Sequence, residues 1–127
     1  MQKQSTRLCL AIRAGVALVA ALAVPAYAHH GWGGNSSEET ELTGTVELLS
    51  LSGPHATMKV RVGGQLWDIT LAPPARAQRA GLRARSIPIG ATVTIVGHLN
   101  KTAGRFEMKS ERVTWEDQVF DVYPNRH

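Results

Sequence analysis

Cysteine is nearly absent from this chain of 127 residues: Cys9 is the only one. It stands ahead of an apolar run, without the small-residue context that a lipid-modified cysteine needs, so it is expected to leave with a leader peptide. What remains then has no thiol, which excludes disulfides, thiolate metal sites and cysteine nucleophiles. Long hydrophobic runs are lacking too. The stretch Ala14 to Val24 carries no charge but is too short to cross a bilayer as a helix. Aromatic residues make up 6% of the chain, so any core must be mostly aliphatic and narrow. Internal repeats and low-complexity tracts are absent. So are the HExxH or HxxxH spacings of zinc sites and any nucleophile set beside a base and an orienting group.

What is present begins with an export signal. Lys3, Arg7 and Arg13 form a positive n-region, the apolar run follows, and Pro25 breaks it just before Ala26 and Ala28. Those small residues predict cleavage between Ala28 and His29, and hence a periplasmic or secreted protein. Three of the fourteen basic residues lie in this leader, whereas all ten acidic ones lie beyond it. The processed chain is therefore close to neutral, which removes the charge argument for nucleic acid or an anionic membrane surface. About a hundred residues are left, enough for one domain. We expect a leader over 1–28, a flexible arm over 29–41 rich in Gly, Ser and Glu around Trp32, a β domain over 42–124 and a tail over 125–127.

Period-two alternation marks the strands. Leu42, Gly44, Val46 and Leu48 share one face of the first, and Ala56, Met58, Val60 and Val62 one face of the second. Gly63-Gly64 has the composition of a two-residue hairpin turn, leading to Trp67, Ile69 and Leu71. Pro73-Pro74 stops the sheet, and Ala75 to Ala80 followed by Gly81 predicts a short helix. Arg76, Arg79 and Arg83 near it read as a solvated face. A fourth strand runs through Ala91, Val93 and Ile95 to Gly97-His98, a fifth through Phe106, Met108 and Val113, and a short sixth over Val119 to Tyr123. Three strands, a helix, then two or three strands is the order of a mainly β, OB-fold-like Greek-key barrel of five to six strands. An SH3-like barrel or an open sandwich is the alternative. Trp67, Phe106 and Met58 are expected to fill the interior, with Met58 and Met108 as core residues rather than thioether ligands.

Several short motifs occur together: His29-His30 before an aromatic, Gly44-Thr45-Val46, Pro54-His55-Ala56, Trp67, Pro74, Gly81-Leu82, Gly90 and Gly97. In this the chain resembles the exported bacterial family of unknown function DUF6152. Gly53 stands where that family usually has Asn, and Gly31-Trp32 replaces the commoner Ser-Phe. The resemblance implies an exported small domain, brings no activity with it, and singles out His29, His30 and His55.

Histidine at a processed N-terminus can chelate through its α-amine and its ring, and another imidazole would complete a nitrogen set suited to Cu(II). His29 has that position after cleavage at Ala28, with His30, His55 and His98 as candidate further ligands; zinc is a second possibility. His127 carries no such argument. Glu107 and Glu111 share a strand face with Lys109 between them, which reads as a solvated, charge-balanced wall rather than a catalytic pair. The outer face of strands two and three offers Lys59 and Arg61 but no aromatic platform, which disfavours nucleic acid. The expectation is a non-enzymatic exported module that binds a peptide, an envelope protein or a small ligand, with a copper-binding protein as the alternative.

Overall fold

The computed structural model describes residues 32–126. Six strands form one sheet: β1 (Thr40–Ser50), β2 (Thr57–Val62), β3 (Gln65–Thr70), β4 (Thr92–Leu99), β5 (Glu107–Trp115) and β6 (Gln118–Asp121). Their order is β3-β2-β1-β4-β5-β6, and a parallel pairing of β3 with β5, Asp68 to Thr70 against Glu107 to Lys109, closes the first five into a barrel. One long strand makes this possible. The first half of β1 pairs with β4 and its second half with β2, so β1 must coil sharply near its middle. Gly44 stands at that bend, where a Cβ would lie 2.3 Å from the Arg61 carbonyl oxygen.

Helix α1 (Pro74–Arg79) joins β3 to β4. Pro74 occupies a first-turn position where its missing N–H costs nothing, and Gly81, with φ +93°, ends the turn. Ala77, Leu82 and Ile87 from this connection close one end of the core. Val46, Met58, Val60, Ile69, Val93, Ile95, Met108 and Val113 fill the barrel, all essentially inaccessible. The fold is the OB-like barrel with one extra strand that the alternation predicts.

Phe106 corrects one expectation: it is 42% exposed rather than interior. It lies ahead of β5, and its ring meets the edge of Trp67, with centroids 5.4 Å apart, at the partly buried border of the core. The sixth strand is shorter than expected, and Val119 faces out while Phe120 faces in.

The largest departure lies in β5. Met108 and Val113 are both buried, yet they stand five positions apart, an odd offset that a regular strand cannot place on one face. A bulge resolves this: Gly97 pairs with Ser110 and Val96 with Arg112, leaving Glu111 as the extra residue.

Candidate functional site

Val93 and Ile95 point into the barrel, so alternation carries His98 to its outer wall, opposite Lys109 of β5. The bulge delivers Glu111 to the same wall. His98 Nε2 lies 2.7 Å from Glu111 Oε1, and Nδ1 donates to the Ser36 carbonyl at 2.9 Å. A carbonyl can only accept, so Nδ1 carries a proton; Nε2 and Oε1 then share one more, and the pair is neutral whichever atom holds it. Glu111 is fully enclosed and His98 nearly so. The solvated wall expected around Glu111 is thus incorrect, because chain segments cover it.

Two segments form that cover. Residues 32–39, from the stretch expected to be an arm, lie along the end of β4. Ser36 N–H donates to the Leu99 carbonyl at 2.7 Å, Asn35 Nδ2 to the His98 carbonyl at 2.8 Å, and Lys101 N–H to the Gly34 carbonyl at 2.9 Å. The second segment follows β6. The bulge carbonyl of Glu111 accepts from both Val122 and Tyr123 N–H, which turns the chain so that Tyr123 and Arg126 return over the wall.

Trp32 is where the two segments meet. Its ring packs edgewise on His98 at 5.6 Å and on Tyr123 at 5.3 Å. The Arg126 guanidinium carbon lies 4.1 Å from the Trp32 centroid and Lys109 Nζ 4.7 Å, both cation–π contacts. Arg126 Nε also stands 3.5 Å from Glu111 Oε1. Burial pushes the Lys109 ammonium below its ordinary value, and the nearby Arg126 charge adds to that. Burial pushes the Tyr123 phenol up, against the opposing pull of Arg76 and Arg126.

A cleft of about 340 Å³ opens beside this cluster, lined by Trp32, Asn35, Ser36, His98, Lys101 and Arg126, with Gly33 and Ser37. A smaller one of about 160 Å³ lies between Arg76, Arg79, Asp121 and Pro124.

Of the histidines predicted as ligands, His29 and His30 lie outside the described residues. His55 is half-buried between β1 and β2. Both ring nitrogens of His98 are engaged, by Ser36 and Glu111. Among the described residues, no group of three or more His, Cys, Asp or Glu side chains could hold a metal ion. On the outer face of β2 and β3, Lys59 pairs with Asp68 and Arg61 with Glu47, whose carboxyl that guanidinium holds below the usual range. Reasoning from sequence missed Glu111, Lys109, Tyr123 and Arg126 as a group. The parity conflict between Met108 and Val113 signals the bulge beside it, and the lone Trp32 is the other sign in the sequence.

The model of a family of unknown function, DUF6152, matches residues 16–108. No curated protein matches. Among solved structures, the chain is similar to the S. pombe Stn1-Ten1 complex, with 14% identity and a TM-score of 0.51, covering 62% of this chain and 58% of that one. It is also similar to a ZRD-deleted mutant of TiaS in complex with agmatine, with 12% identity and a TM-score of 0.51, covering 67% of this chain and 26% of that one. At such identities the likeness extends to the barrel fold alone. No helix among the described residues is long and apolar enough to cross a membrane.

Proposed function

The chain belongs to the DUF6152 family, and from that premise we propose that it is an exported, non-enzymatic module that holds a small ligand in the cleft beside Trp32. One observation carries this reading: a cavity, an aromatic wall and a buried ionisable pair coincide there. Such a convergence marks a binding site better than any exposed charge does. Export is supported by the basic n-region, the apolar run and the small residues before His29.

Binding is favoured over catalysis by the state of His98. An imidazole acting as a general base needs a ring nitrogen open to the substrate, and here Ser36 and Glu111 take both. The pair positions the wall instead. Nucleic acid is disfavoured because the cations on the outer face of β2 and β3 are matched by Asp68 and Glu47.

Two measurements test the reading. The intact mass of the exported protein is expected to correspond to a first residue of His29; a retained leader would overturn export. A fragment screen by heteronuclear NMR is expected to move the Trp32 indole, His98 and Lys101 signals together. Shifts gathered instead on Lys59 and Arg61 would move the site to the β2–β3 face and contradict the proposal.

A further inference from the structure

We infer that the cleft beside Trp32 selects a small oxyanion, carried as a carboxylate or a phosphate group and held by Arg126 and Lys101. This rests on the cleft being the ligand site and adds the chemistry of what enters it.

Charge is the first argument. Lys101 and Arg126 both line the cleft, and Lys109 stands behind it against the Trp32 ring. The carboxylates of β5 and β6 already have cationic or polar partners: Glu111 with His98 and Arg126, Glu107 with Asn100 and Arg105, Asp121 with Arg112, while Glu38 and Glu39 follow the cleft-lining Ser37 on the exposed surface. Between Asp68 and Glu107 the sequence contains no acidic residue at all, so the segment that supplies Lys101 brings no counter-charge of its own. Cations gathered at a partly desolvated surface repel one another, and an anion between them relieves that repulsion. Burial lowers the Lys109 ammonium first, and the Arg126 charge adds to it.

Donor geometry is the second. A guanidinium offers a planar fork that suits the paired oxygens of a carboxylate or phosphate, and Lys101 adds a point charge. Ser36 Oγ accepts from the Glu38 N–H at 3.1 Å, which leaves its own proton to donate. Arg126 is preset because its guanidinium lies over Trp32 with Nε near Glu111. A fork fixed in this way loses less freedom on binding than one waving in solvent. The volume, about 340 Å³, lies at the small end of ligand pockets and suits a compact molecule of a few functional groups.

The test is calorimetric titration of the processed protein with citrate and, separately, with inorganic phosphate at constant ionic strength, with chloride as the control. Saturable binding of at least one is expected, weakened tenfold or more in both Arg126→Gln and Lys101→Gln. Binding of citrate alone assigns a carboxylate source, and of phosphate alone a phosphate source. Lys101 is exposed, so its variant keeps the test valid even where Arg126→Gln fails to fold. Absence of saturable binding by both anions, or equal binding in wild type and Lys101→Gln, overturns the inference. A neutral fragment that shifts Trp32 and His98 in NMR while both anions fail would leave the cleft as the site and remove only the oxyanion.

Discussion

Glu111 is enclosed in a place where a carboxylate survives only by being matched. Its Oε1 meets His98 Nε2 at 2.7 Å and Arg126 Nε at 3.5 Å. Breaking a buried pair by removing one partner typically costs about 3–5 kcal/mol, because the other polar group stays desolvated. We therefore expect His98→Ala and Glu111→Ala each to lower the unfolding free energy by about that amount, a large share of the stability of so small a domain. Removing both should cost less than the two losses added together, since neither group is then stranded. Chemical denaturation of the four proteins measures this directly. Single losses below about 0.5 kcal/mol, the range of ordinary surface changes, would place the pair on the surface after all.

For β5, the element that positions this pair, the decisive residue is a glycine on its neighbour. A Cβ on Gly97 would lie 2.2 Å from the Lys109 carbonyl oxygen and 2.8 Å from the Ser110 Cα. Backbone on both sides would have to move, and the bulge at Glu111 with it. Gly97→Ala is expected to cost about 1–3 kcal/mol, as overpacking does, and to perturb the His98 ring signals. Gly34→Ala serves as the control: nothing stands within 4 Å of that Cβ, and its stability should be nearly unchanged. Equal effects at the two positions would contradict the tight register of β4 on β5. The same strand explains what could be read in advance. Strands β2 and β3 were legible because Met58, Val60 and Ile69 obey strict alternation across a two-residue turn. In β5 alternation does set Glu111 on the outer wall with Lys109, but the segments that cover that wall come from residues 32–39 and from beyond β6, which no local pattern reveals. Phe106 misled for a related reason: a large ring at a strand's border need not enter the barrel.

Across the molecule, the barrel is legible in the order of its elements, whereas the cleft is not. Its walls come from residues 32–37, from the end of β4 with Lys101 and from Arg126 beyond β6. No local motif joins them; they meet only because the barrel brings both flanking segments to one outer wall. Trp32 gave a hint as the lone aromatic in a stretch of Gly, Ser and Glu, but its partners Tyr123 and Arg126 lie some ninety residues away. The account therefore depends most on residues 32–36 being a built wall of the cleft. Native-state amide hydrogen exchange tests this at two positions, Ser36, bonded to Leu99, and Lys101, bonded to Gly34. Both are expected to exchange orders of magnitude more slowly than an unstructured peptide, and to lose that protection in Trp32→Ala while the amides of β2 keep theirs. Exchange at the unstructured rate in the wild-type protein would mean that the segment does not hold the wall, and would contradict the site itself.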